Sequence, residues 1–307
     1  MAVADQGSFS LAAETLHLTQ SAVSRRVASL ERRLAVPVFD RVGRRVTLTE
    51  AGRTLLPRAR RILADLEDTR TVLRDLSGRV AGPLALATSH HIGLRRLPPV
   101  LRQFNRAHPE VELDLQFLDS EAAHELLLQG SLELAVVTLA PGGVPPLASH
   151  AVWDDPLRFA VGAEDPLLDA APVGLEALAR RPAVLPGPGT YTGRIVTGMF
   201  ERAGLGLARV LTTNYLETIQ MMTRIGLGWT VLPETMIEAG LRPLPVAGAP
   251  PMRRTLGWVR HPDRTPSNAA RAFVRALEAR GDRASPVSRR SAAPGPDSAR
   301  GGGGDGP

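Results

Sequence analysis

Between Thr19 and Arg41 the chain reads TQSAVSRRVASLERRLAVPVFDR, and the order of residue types in that run leaves its backbone little freedom. Ala22, Val23, Val27, Leu30 and Leu34 fall on one side at helical spacing. Thr19, just ahead of them, is placed to cap the first free N–H groups, so a helix from Gln20 to about Leu34 is predicted. Gln20, Ser21, Ser24, Arg25 and Arg26 collect at its leading end or on its other face. The apolar set docks such a helix on a small core, while the polar set stays at an end that fits a groove. A shorter helix, capped by Ser8 or Ser10 and ending near Leu16, precedes it across the turn HLTQ. Two helices joined in this way read as a helix–turn–helix, which lays the first residues of its second helix against base edges of duplex DNA. DRVGRRVTLT follows, a glycine turn between two short extended arms, as in a basic hairpin or wing.

Charge position carries more information than charge type. The 307 residues carry a net +6, and every basic residue is arginine. Residues 25 to 61 hold eleven arginines against Glu31, Asp40 and Glu50, a local surplus of eight. A concentrated basic segment suits a polyanion, because each neutralised phosphate releases counterions. A solvated surface is the alternative, and Arg32 and Arg33 fit it as ordinary helix charges. The chain has no cysteine, which excludes disulfides, thiolate catalysis and cysteine-ligated zinc. No apolar run approaches a membrane span, and MAVADQGSFS has neither the basic nor the apolar region of an export signal. A cytoplasmic location without membrane attachment is expected.

Thr49 is expected to cap a long helix through Leu76, with Pro57 in its first turns as a source of a kink or a delayed start. Leu55, Ala59, Ile62, Leu66, Thr69, Leu73 and Leu76 alternate by steps of four and three, the seam of a two-stranded coiled coil. One amphipathic helix packed on its own domain is the alternative, with a normally broader stripe. SGRVAGP at 77–83 reads as a hinge. Beyond it, strand-like runs such as LALAT, VELDLQFL, LELAVVT and GWTVLP alternate with helix-like runs at 93–107, 120–130, 174–180, 192–203, 215–226 and 267–280. That alternation implies a parallel α/β sheet. After Gly281 the tail is Pro, Gly, Ser and Arg without apolar period, so 282–307 is expected to be disordered.

GSFSLAAETLHLTQSAVSRRVASLERRLAVPVFDRVGRRVTLTEAGRTLL resembles the winged helix–turn–helix of LysR-type transcriptional regulators almost without gaps. LRQFNRAHPEVELDLQF, LLLQGSLELAVV and GLGWTVLP resemble successive landmarks of that family's effector domain. The resemblance runs from Ala2 to about Arg280. It implies an all-α winged helix–turn–helix at 1–50 and a dimerising linker helix at 51–78. It further implies an α/β effector domain at 79–281, built like a periplasmic binding protein from two subdomains joined by two crossovers. The first subdomain would span about 84–152 and 254–281, the second about 157–246. The implied assembly is a homodimer or homotetramer that binds double-stranded promoter DNA and responds to a small effector. Family members carry more of a first helix ahead of the segment matching AVAD, so the expectation is either a start assigned too late or a truncated and weakened winged domain. Loss of core side chains would cost a small domain much of its stability.

For DNA, Gln20, Ser21, Ser24, Arg25 and Arg26 are the candidates for base edges and adjacent phosphates, with Arg41, Arg44 and Arg45 flanking the wing. For the effector, polar strand ends ahead of helices are the candidates: ATSHHIG, LDS, VVT, PGPGTYTGR and TTNY. Ligands in open α/β sheets sit beyond the carboxyl ends of strands, where helix N-termini favour an anion. The site residues so indicated are Thr88, Ser89, His91, Asp119, Thr138, Thr190, Thr192 and Asn214. ATSHHIG and TYTGR also resemble the sulfur-assimilation branch of the family, in which hydroxyls at the positions of Ser89, Thr138 and Thr192, with that of His91, hold an inorganic anion. His91 and Ile92 replace polar side chains of that pattern. Each hydroxyl also fits a helix cap bonded to its own backbone. His124-Glu125 lacks a second histidine four residues on, and no nucleophile elbow, P-loop or dinucleotide fingerprint follows a strand. No enzyme, metal or cofactor is therefore expected. The alternative function is a cytoplasmic solute-binding protein without regulatory output, favoured by the shortened first helix.

Overall fold

A computed structural model describes residues 1–42 and 45–281. The chain begins with α1 (Ala2–Gln6), α2 (Phe9–Thr15) and α3 (Gln20–Leu34), followed by the antiparallel strands β1 (Phe39–Val42) and β2 (Arg45–Leu48). The predicted caps form: the Ser8 hydroxyl accepts from Leu11 N, and the Thr19 hydroxyl from Ala22 N at 3.2 Å. Val3, Phe9, Ala12, Ala13 and Val23 make the core of this module, with Val27, Phe39 and Val46 packed against it. Leu30 and Leu34 were expected in that core but are both 42% exposed, because α3 outruns the two short helices beneath it.

The expectation of a weakened winged domain is corrected. Ala2–Gln6 is helical, Val3 is buried in the core, and Asp5 pairs with Arg60 on the helix Glu50–Asp75 that follows the hairpin. Glu31 is also more than a local counter-charge. Its carboxylate accepts from the N–H groups of Val38 at 2.8 Å and Phe39 at 3.2 Å, fastening the hairpin to α3.

Helix α4 (Glu50–Asp75) is capped by Thr49, whose hydroxyl accepts from Gly52 N and donates to Pro37 O. At 26 residues it is about 39 Å long. Pro57 lies inside it and neither delays nor ends it.

Residues 82–281 form two α/β lobes. The first contains β3 (Gly82–Thr88), α5 (His90–Arg95), α6 (Pro98–Ala107), β4 (Val111–Phe117), α7 (Ser120–Leu128) and β5 (Leu134–Thr138). The single helix predicted at 93–107 is two, because Pro98 and Pro99 lack the N–H groups a continuous helix needs and suit the start of a new one. Strand β6 (Ala148–Gly162) then runs out of this lobe into the second. The second lobe comprises β7 (Val173–Gly174), α8 (Leu175–Ala179), β8 (Ala183–Leu185), α9 (Tyr191–Arg202), β9 (Val210–Thr212), α10 (Leu216–Arg224), β10 (Thr230–Pro233), β11 (Leu241–Pro243) and β12 (Val246–Ala247). Strand β13 (Met252–Arg260) returns to the first lobe, where α11 (Asn268–Glu278) closes the described chain.

The main sheet has the order β10-β6-β13-β5-β3-β4, with β11 also on β6. It is mixed, not parallel. The strands β3, β4 and β5 are parallel, whereas β6 and β13 cross between lobes in opposite directions and pair antiparallel along Ala148–Leu157 and Met252–Arg260. Each lobe has its own core, one built around Phe104, Trp153 and Phe273, the other around Phe159, Phe200 and Trp229.

Candidate functional site

Two surfaces carry chemistry. The first is the leading edge of α3. Gln20, Ser21, Arg25 and Arg26 are exposed there and Ser24 is half-buried. The Ser21 hydroxyl lies 3.1 Å from that of Thr19, while Gln20, Arg25 and Arg26 have no hydrogen bond or ion pair among the described residues. Their side chains are thus unengaged beside the hairpin. Arg41 and Arg45 are placed in β1 and β2 by backbone pairing. Arg44 lies outside the described residues, as does the tail 282–307.

The second is a cleft of about 420 Å³ between the lobes. Seven of the eight residues proposed for the effector meet in it: Ser89, His91, Asp119, Thr138, Thr190, Thr192 and Asn214. They come from chain segments far apart, and the fold converges them because β3, β4, β5, β8 and β9 all end toward it. Thr88 is the exception. Its hydroxyl donates to Val136 O at 2.8 Å within the sheet, and the residue is fully buried.

Some hydroxyls are helix caps. Thr190 caps α9, accepting from Gly193 N at 3.0 Å and donating to Gly187 O. Gly193 is required at that corner, since a Cβ would stand 2.1 Å from Gly187 O. Ser89 precedes α5 without a side-chain cap bond, and no partner binds the Thr138 hydroxyl among the described residues.

The floor of the cleft holds a group that the motifs did not mark. Arg254, 8% exposed, donates from Nε to Asp155 at 2.7 Å and from Nη1 to Thr192 at 3.0 Å, while its Nη2 has no partner. Asp155 is fully buried, and Arg96 approaches it at 3.5 Å. A sequence signal existed in the doublets Asp154-Asp155 and Arg253-Arg254. They lie opposite one another where β6 and β13 cross, and alternation along a strand turns one member of each inward. The outward pair, Arg253 and Asp154, meets at 3.2 Å on the surface. Beside Arg254, His91 is buried with neither ring nitrogen hydrogen-bonded. Burial first, then the charges of Arg254, Arg95 and Arg96, lower its pKa to about 3. At neutral pH it is an uncharged ring able to donate one hydrogen bond and accept another.

Contacts also span the cleft. Asn214 donates to Asp119 at 2.7 Å, the Tyr191 hydroxyl lies 3.1 Å from His124 Nδ1, and Arg95 pairs with Glu238. Glu121, absent from the sequence-based set, accepts the Tyr191 backbone N–H at 2.5 Å. Burial raises the Glu121 pKa against those N–H bonds and Arg194. Among the described residues no helix is long and apolar enough to cross a membrane.

A winged helix–turn–helix on a long helix, with a two-lobed ligand domain beyond it, defines a ligand-responsive DNA-binding regulator. Residues 1–53 match the model of the bacterial regulatory helix-turn-helix protein, lysR family, and residues 77–282 that of the LysR substrate binding domain. A probable nitrogen assimilation transcriptional activator of Synechococcus elongatus is 31% identical over 237 residues, 76% of this chain and 76% of its own length. A full-length OxyR variant of Pseudomonas aeruginosa has a similar fold, with a TM-score of 0.66 at 22% identity over 93% of this chain and 96% of that one. Full-length CbnR complexed with its target DNA gives a TM-score of 0.60 at 22% identity over 91% and 96%. The chain belongs to the LysR family of transcriptional regulators. It is a regulator and not an enzyme, and the premise for a solute-binding protein without regulatory output is removed.

Proposed function

We propose that this chain binds promoter DNA as a cytoplasmic homo-oligomer and that a small effector carrying an anionic group controls the binding from the cleft between the lobes. Residues 1–50 bind DNA, 51–78 pair with the same segment of a second copy, and 79–281 bind the effector. The observation that carries the effector reading is Arg254, a cationic side chain only 8% exposed that lines the cleft with Ser89 and Thr138 and whose Nη2 is buried without a partner. A buried cationic donor left unpaired is costly, and an anionic ligand relieves that cost. Binding between the lobes changes their closure, and with it the angle between paired winged domains and the bend of the DNA. It does so to the extent that the ligand prefers one closure over the other.

The DNA reading rests on Gln20, Ser21, Ser24, Arg25 and Arg26 at the leading edge of α3, with Arg41, Arg44 and Arg45 flanking the wing. A mobility-shift assay with the DNA upstream of the coding sequence is expected to show specific retardation at moderate salt. Arg25→Ala is expected to weaken it by about 1–3 kcal/mol and to relax sequence preference. Equal loss on specific and random DNA would move Arg25 to phosphate contact. Absence of specific retardation by the unaltered chain would sink the regulatory reading.

A further inference from the structure

The charges lining the cleft are of both signs, and they sit on different walls. At the floor are Arg254, with its Nη2 unpartnered, and His91, with two unpartnered ring nitrogens. On the wall formed by the start of α7 are Asp119 and Glu121. The acidic side is held mainly by neutral donors: Asp119 by the Asn214 amide at 2.7 Å, and Glu121 by the Tyr191 N–H at 2.5 Å. Arg194 is 3.5 Å from Glu121 and half exposed, and Asp119 has no ion pair among the described residues.

This arrangement selects against a polyanion. The start of α9, the seat an anion would otherwise favour, already receives a carboxylate from the opposite lobe. A second negative group on a ligand would face Asp119 and Glu121, and like-charge juxtaposition rejects a wrong partner. A third feature concerns shape. Phe117, His90 and Tyr215 form an edge-to-face chain along the cleft, with ring centroids 5.7 Å and 5.2 Å apart. Phe117 and Tyr215 remain 47% and 57% exposed. Half-exposed aromatic rings at the rim suit an apolar group projecting from the ligand.

We infer that the cleft takes a zwitterionic α-amino acid, its carboxylate against Arg254 and Thr138, its ammonium at Asp119 and Glu121, and its side chain along Phe117 and Tyr215. The inference rests on the reading of this cleft as the effector site and narrows it from any anion to one that also carries a cation.

The test uses the full chain. Its thermal unfolding is followed with each of the twenty common L-amino acids, and calorimetry then compares each one that binds with the carboxylate of the same skeleton lacking the amino group. Succinate and sulfate are titrated alongside. At least one amino acid is expected to stabilise the chain, and its des-amino counterpart to bind at least about tenfold more weakly, the loss of one charge-assisted hydrogen bond. Glu121→Gln, which keeps an oxygen for Tyr191 N–H but removes the charge, is expected to abolish most of that preference. Asp119→Asn gives the second reading should Glu121→Gln fold poorly. Equal or tighter binding of a des-amino acid, succinate or sulfate overturns the inference and leaves the anionic-effector reading standing. An unchanged preference in both variants also overturns it. Binding by none of these compounds overturns both readings.

Discussion

His91 is a histidine kept neutral by its surroundings, and that has a measurable consequence. Its folded pKa of about 3 lies below the ordinary 6.5, so between those values the unfolded chain holds a proton that the folded chain does not. Stability is then complete above 6.5 and falls as the pH drops toward 3, by up to about 1.4 kcal/mol per pH unit. Glu133 works in the opposite sense: burial raises its pKa, so its contribution is lost as the pH rises through the folded value. His91→Leu is expected to flatten the loss of urea stability below pH 6.5 and to raise stability in acid. An unchanged acid slope would show that His91 is solvated. At this scale the sequence was informative where a residue acts through its neighbours in the chain. Ser8, Thr19 and Thr49 cap as their spacing predicts. Thr88 looked equivalent to Ser89, but strand alternation turns it into the sheet, where Val136 O takes its proton.

Helix α4 has two working faces. Ala64, Asp68 and Asp75 turn toward the first lobe, whereas Ile62, Leu66, Leu73 and Leu76 are exposed. Those four belong to the alternating four-and-three series, whose first members Leu55 and Ala59 are half-buried, and they are the residues proposed to meet a second copy. Leu66→Asp is expected to lower the sedimenting mass to that of a monomer, and an unchanged mass would discard the coiled coil. The start of the same helix is fitted against the hairpin. Gly52 is there because a Cβ would lie 2.1 Å from Val38 O, a clash with backbone that no rotamer relieves. Gly52→Ala, favourable by helix propensity, is nevertheless expected to destabilise the winged module by at least about 1–3 kcal/mol, read as a lower urea midpoint. An increase in stability would show that the hairpin yields.

For a signal to cross the whole molecule, the cleft must move the helix that carries the DNA-binding module. Arg264 is the principal fastening. It holds Asp68 of α4 through Nε at 3.0 Å and through Nη2, while Nη1 donates to the carbonyls of Gly130 and Leu132. Asp75 adds a second point by accepting from Asn268 N at the start of α11. Arg264→Met is expected to cost about 1.5–3 kcal/mol in urea unfolding and to leave effector binding intact while abolishing its influence on DNA retardation. Retained coupling would assign transmission to the Asp75 contact. The amino-acid sequence by itself determined α3, α4, their caps and the hairpin, because each depends on residues within a few positions of one another. The family resemblance, not the periodicity, indicated two lobes. Only the tertiary structure decided that the sheet is mixed and that Arg254 joins the predicted His91 in the cleft. It alone showed α7 presenting carboxylates to the opposite lobe and Arg264 reaching a helix almost two hundred residues earlier in the chain. Those relations join residues separated by whole elements, and no local spacing records which of them the crossing strands bring together.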